Sequence, residues 1–205
     1  MLTQPTDLGT LYSPEQMQSV AEVARARGLR IHIDGARLAN AIVGLGCSPA
    51  DLTWRAGVDV VTLGATKNGA VSTEAIVCFD PALRESLSYR LRRAGHVSSK
   101  MRFQSAQLDA YLTGGLWLRL AATANEGMAR LVGGLIRLGI EPIHHPRANM
   151  VFVRADKAVI DAWVDAGIDL FRITNDQVRF VTNFRTTPGE IDDALERISA
   201  CVSDG

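Results

Sequence analysis

The sequence predicts an α/β fold: a mostly parallel sheet covered by helices, followed by a small C-terminal α/β domain. Three observations predict it. Short β-branched runs alternate with helical stretches over residues 1–80, the signature of parallel strands joined by crossover helices. Residues 81–138 are then helical in pattern. From residue 150 the alternation resumes as strand, helix, two strands and helix. The division is placed near Gly115, giving segments 1–115 and 116–205. A chain of 205 residues is long enough to bury a substantial core.

Each element has a local reason. "MLTQ" reads as the inside of a strand. Ser13 is a natural N-cap before Pro14, Gly28 is a stop, and Met17, Val20, Ala21 and Ala24 form one apolar stripe between them. "LRIHID" is a short buried strand. "GARLANAIVGLG" is a short helix, and "SPADLTWRAG" a second one capped by Ser48. "VDVVTLG" and "EAIVCF" are β-branched strands, the latter closing at Asp80–Pro81. "PALRESLSYRLRRAG" and "SSKMRFQSAQLDAYLTGG" are helical, the second ending at Gly114–Gly115. A long helical pattern covers 117–138. "MVFVR" is a strand, "KAVIDAWVDAG" a helix, "IDLFRIT" and "QVRFVTN" strands, and "TPGEIDDALERISACV" a final helix.

Composition removes several function classes. Lys plus Arg equals Asp plus Glu at 22 each, so nothing favours a polyanion such as nucleic acid. The Arg-dense stretch "YRLRRAGHVSSKMR" reads first as a solvated helix face. Cys47, Cys78 and Cys201 are far apart without a CxxC spacing, so they read as thiols in a reducing compartment and not as a disulfide frame or metal site. No apolar run reaches membrane-spanning length, and "MLTQPTDLGT" has no secretory signature. A cytoplasmic location is expected.

The chemistry gathers at two strand ends. In open α/β sheets, ligands sit at the carboxyl ends of strands. Asp34 ends one strand, Arg37 follows three residues on, and Lys67 lies just past the end of the next strand. Taken singly these residues are ordinary: Asp an N-cap, Lys a solvated loop residue. Together they suit pyridoxal phosphate acting on an amino acid. A lysine amine, once deprotonated, attacks a carbonyl. A carboxylate beside a pyridine nitrogen favours the protonated ring, which accepts electrons from a substrate carbon. An arginine fork holds the substrate carboxylate.

"HIDGARLANA" and "TLGATKNGAVSTEAIVCF" resemble the threonine aldolase family, within the fold-type I pyridoxal phosphate enzymes and their β-eliminating lyase group. "TQPTDLGTLYS", "RRAGHVSSKMRFQSAQLDAYL" and "QVRFVTNF" extend the resemblance over essentially the whole chain. It implies Lys67 as the Schiff-base lysine, Asp34 as partner of the ring nitrogen, and Arg37 and Arg179 as the grip on the substrate carboxylate. It implies that Arg102 reaches the cofactor phosphate of a neighbouring subunit, in a homodimer or homotetramer with shared sites. The implied reaction is cleavage of a β-hydroxy-α-amino acid between Cα and Cβ; for threonine the products are glycine and acetaldehyde. No histidine is an obvious base. By strand alternation His32 shares the face of Asp34; His96 sits in the Arg-rich stretch, and His144 and His145 in a connection.

The sequence also departs from the family. No Gly-rich phosphate cradle and no ring-stacking histidine precede the Asp34 strand, and Asp7 stands where the family pattern has Glu. The expectation is a C-terminal portion of the enzyme that binds pyridoxal phosphate weakly and turns over little. The alternatives are another lyase reaction on the same cofactor, such as β-elimination, and a non-catalytic subunit acting as an assembly partner. A nucleotide-binding module is disfavoured, because no glycine fingerprint precedes the relevant helix.

Overall fold

The computed structural model describes residues 1–203 and contains two sheets. The first has the order β1 (Leu2–Thr3), β2 (His32–Gly35), β3 (Val60–Gly64) and β4 (Glu74–Cys78). β1, β2 and β3 run parallel, while β4 returns antiparallel after the loop that carries Lys67. Register pairs Thr3 with Asp34 and Asp34 with Thr62. Side chains alternate along a strand. Ile33, Val61 and Leu63 therefore enter the core, and His32, Asp34 and Thr62 share the other, half-buried face. That alternation aims the chemistry away from the packed side.

Helix α1 (Pro14–Ala26) begins as expected. The Ser13 hydroxyl accepts from the Gln16 amide and the Gln16 side chain accepts from the Ser13 amide, a reciprocal capping box. Met17 and Ala21 turn inward. Helix α2 (Leu38–Leu45) buries Leu38 through Ile42 and stops at Gly46, which takes the left-handed conformation. With Leu52 and Val58 these residues form the first core.

The segment "SPADLTWRAG" corrects the expected helix: it folds as turns closing in a 3-10 turn, Trp54–Ala56. Local side-chain bonds explain the difference. Asp51 accepts from both the amide and the hydroxyl of Ser48, and the Thr53 hydroxyl donates to the Pro49 carbonyl at 2.7 Å. Such bonds compete with the helical ladder.

Helices α3 (Arg84–Arg93) and α4 (Arg102–Leu112) follow; α3 buries no residue and α4 only Tyr111. Helix α5 (Leu116–Arg137) spans both cores. Trp117 and Leu118 pack on the first, and Met128, Leu131, Val132 and Leu135 enter the second. Midway, Asn40 of α2 donates to Asn125 at 3.0 Å, and Asn125 donates back to the Asn40 carbonyl at 2.9 Å. No helix among the described residues is long and apolar enough to cross a membrane.

The second sheet is antiparallel, ordered β5 (Met150–Arg154), β7 (Gln177–Val181), β6 (Phe171–Arg172). The expected strand at "IDLFRIT" shrinks to two residues. Helices α6 (Lys157–Asp165) and α7 (Pro188–Ser203) join α5 over this sheet. Trp163 is fully buried, its ring 6.1 Å from that of Phe180. Along β7, Val178 and Phe180 enter this core, so alternation sends Arg179 to the opposite face.

One ion pair ties strand ends across the first sheet. Arg30 donates to Asp80 at 2.7 Å, and Asp80 also accepts from the Ala82 amide. The Arg30 bond, then the Ala82 amide, hold the Asp80 carboxyl below the usual carboxylate range. A carboxyl depressed on folding stabilises the fold above its unfolded pKa, and that gain is lost as pH falls through the folded value. Thermal stability is expected to be flat near neutrality and to fall below about pH 5. Asp80→Asn is expected to flatten that acid slope without steepening it anywhere, which a melting series from pH 7 to pH 3 checks.

Candidate active site

Two glycines bring the expected site residues together. A Cβ on Gly35 would stand 2.6 Å from the Thr62 carbonyl oxygen, and one on Gly64 would stand 2.6 Å from Ala36 Cα. Only the absence of side chains lets the Asp34–Arg37 turn lie directly on the end of β3. Three residues later comes Lys67, in a 3-10 turn, Thr66–Asn68.

Asp34, Ala36, Arg37 and Lys67 line one small cavity of about 210 Å³ with Arg179 and Met150 of the second sheet. The remaining wall is Thr3 to Asp7. That wall is shaped by Gln4, whose buried amide donates to the Tyr12 carbonyl at 2.8 Å and accepts from the Tyr12 amide at 3.1 Å. The loop is thereby closed as if by a pair of ladder bonds.

The electrostatics of the cavity are unbalanced. Asp34 accepts from the Ala36 amide at 3.0 Å through one oxygen. Arg37 and Arg179 each keep a buried Nε–H with no partner. Burial pushes the Arg37 guanidinium down from its ordinary value, and the charge of Arg179 pushes the same way. Unpaired buried donors are costly, and two cations with free N–H groups call for an anion between or beside them. The Arg179 guanidinium is steadied over the Phe171 ring, 4.7 Å from its centre.

The other sequence candidates lie elsewhere. Arg102 stands exposed at the start of α4, over the Phe103 ring, and does not line the cavity within this chain. His32 is bonded to the Thr62 hydroxyl at 2.9 Å and is likewise absent from the lining. A larger cavity, about 730 Å³, lies beside α7. Its Arg197 is paired with Asp193 at 2.7 Å, and its Glu190 is bound to Thr187. Its volume is greater, but no lysine lines it and none of its charged side chains keeps an orphaned buried donor. Sequence reasoning overlooked Gln4, Thr6 and Asp7 as a cavity wall; the quoted "TQPTDLGT" was the available signal.

A family model described as beta-eliminating lyase matches residues 1–158. The chain belongs to that family. A low-specificity L-threonine aldolase from Pseudomonas sp. (strain NCIMB 10558) is 37% identical over 205 residues, covering 98% of this chain and 59% of that protein. One from Pseudomonas aeruginosa is 42% identical over 163 residues, covering 78% of this chain and 47% of that protein. The chain thus spans only part of the length of either relative. The solved structure of a threonine aldolase from Leishmania major superposes with a TM-score of 0.88 at 23% identity, covering 98% of this chain and 60% of that one. The fold is the expected fold-type I α/β architecture. Enzymes of the family use pyridoxal phosphate. The cavity residues fit that group: a lysine, a carboxylate at the neighbouring strand end, and two arginines with unpaired donors.

Proposed function

We propose that the protein is a pyridoxal phosphate lyase that cleaves a β-hydroxy-α-amino acid, L-threonine or L-allo-threonine, to glycine and an aldehyde. One observation carries this reading: Lys67, Asp34 and two arginines with unpartnered Nε–H groups line a single cavity. Arg37 and Arg179 bind the substrate carboxylate, and its charge answers both orphaned donors. This orients the amino acid along the cavity. Asp34 would favour a proton on the ring nitrogen through its charge. Lys67 would hold the cofactor aldehyde through its side-chain amine. Pyridoxal phosphate, when bound, supplies that aldehyde and a ring that accepts the electrons of a broken bond.

Arg102, exposed in this chain, reaches a cofactor phosphate in a neighbouring subunit of a dimer or tetramer. A division near Gly115 is supported by the positive φ of both Gly114 and Gly115 between α4 and α5. The free cysteines suit a cytoplasmic protein.

Products decide the reaction. The chain is incubated with pyridoxal phosphate and L-threonine. Glycine with acetaldehyde is expected, at a low rate. A 2-oxo acid with ammonia would transfer the reading to β-elimination, which the same residues serve. A lysine-dependent cofactor spectrum without turnover would leave a binding subunit that acts through assembly.

A further inference from the structure

Lys67 sits in a turn of three residues, too short to hold its own direction. Its neighbour Asn68 is only 4% exposed, yet both hydrogens of its amide are used. Nδ2 donates to the Tyr111 hydroxyl at 2.7 Å and to the Trp117 carbonyl at 2.8 Å. Tyr111 is 3% exposed, and its hydroxyl donates onward to the Gly64 carbonyl at 3.3 Å. Burial pushes the phenol up from its ordinary value, so it stays neutral and able to donate. Gly64 at the end of β3 and Asn68 just after Lys67 are thus tied, through one phenol and one amide, to α4 and α5. Across the turn, Glu74 of β4 accepts from the Ala65 and Thr66 amides at 3.2 Å each, and the Thr66 hydroxyl donates to the Thr73 carbonyl. Gly69 closes the turn against Leu120. Neither Tyr111, Asn68 nor Glu74 lines the cavity.

We propose that Tyr111 and Asn68 are positioning residues for Lys67: their buried hydrogen-bond relay sets the direction of the lysine turn. This rests on the reading of Lys67 as the cofactor lysine. A buried phenol must find hydrogen-bond partners wherever it lies; the partners that Tyr111 finds are the two flanks of Lys67, the Gly64 carbonyl for its hydrogen and the Asn68 amide for one lone pair. Small displacements of a reacting group change reactivity strongly, and this turn has few bonds of its own to resist them.

The test uses Tyr111→Phe, which keeps the ring and removes only the hydroxyl. Asn68→Asp, which keeps the shape and removes both donors, is the second variant. The chain has three lysines, Lys67, Lys100 and Lys157, so cofactor attachment can be counted at each. Each protein is mixed with pyridoxal phosphate, reduced with borohydride, digested and weighed. Separately, without cofactor, amide exchange is measured at Ala65, Thr66, Asn68 and Ala70, all hydrogen-bonded in the turn.

The parent chain is expected to label mainly at Lys67. In both variants the Lys67 share is expected to fall several-fold. Lys157, held by Asp161 at 2.6 Å, is the internal standard and is expected not to change. Exchange at the turn amides is expected to rise about tenfold while β5 and β7 stay protected. Unchanged exchange, or an unchanged Lys67 share, overturns the inference. So does a uniform rise through β5 and β7, which marks a merely stabilising role. No preference for Lys67 in the parent overturns the cofactor reading instead; the relay itself is then decided by exchange alone.

Discussion

Lys67→Ala is expected to abolish the glycine-responsive pyridoxal band of this chain and leave the spectrum of free cofactor, while Lys100→Ala and Lys157→Ala leave that band unchanged. The difference rests on where the three lysines stand. Lys67 lines the cavity with Asp34, Arg37 and Arg179. Lys157 is committed to Asp161 on the outside of α6. Lys100 is exposed in the connection before α4, outside that cavity. An amine joined to the cofactor needs a carboxylate near the ring and donors for the carboxylate of an incoming amino acid, and only Lys67 has both. The measurement is a visible spectrum before and after added glycine. A band that depends on Lys67 and shifts with glycine supports the site. A band that survives Lys67→Ala would sink the assignment and with it the proposed function.

The second large effect concerns a residue without a side chain. Gly64→Ala is expected to lower stability by about 1–3 kcal/mol, the range for overpacking. At about 2–4 °C of melting temperature per kcal/mol for a chain of this size, the shift is readily measured. The new methyl would press on Ala36 Cα at 2.6 Å and on the Ala36 carbonyl, which are backbone atoms and cannot rotate away. The forced separation would part the Asp34–Arg37 turn from the Lys67 turn, so Lys67 labelling is expected to fall as well. Gly46→Ala is the control. Gly46 has φ 65 with nothing within 4 Å of a new Cβ, so it carries backbone strain but no clash. Its expected cost is about 1–2 kcal/mol, with labelling unaffected. Equal labelling in both variants would show that the close approach at Gly64 does not organise the site.

Much of this was legible in the chain because local rules produced it. Ser13 and Pro14 announce α1, and the cap bonds that answer them reach no further than three residues, to Gln16. The placement of Asp34 at a strand end follows from β-branched runs, and its face follows from a period of two. Where the reading failed, the competing bonds were also local but of another kind: at 48–57 the Ser48–Asp51 and Thr53–Pro49 bonds displaced a helix that the Ser48 cap had suggested.

The sequence by itself determined the alternation of strands and helices and the trio Asp34, Arg37 and Lys67, because each depends on neighbours a few residues away. It also carried the family pattern that singled out Arg179. Only the tertiary structure decided that Arg179 and Met150 close the same cavity from a second sheet, and that Gln4 shapes its wall. It likewise decided that Arg102 lies outside the cavity of its own chain, and that Asn68 and Tyr111, 43 residues apart, are hydrogen-bonded beside the lysine turn. The reason is physical. Periodicity and capping report the free energy of short segments, whereas a buried donor finds its acceptor only after distant segments have packed, and no local pattern records which acceptor that will be.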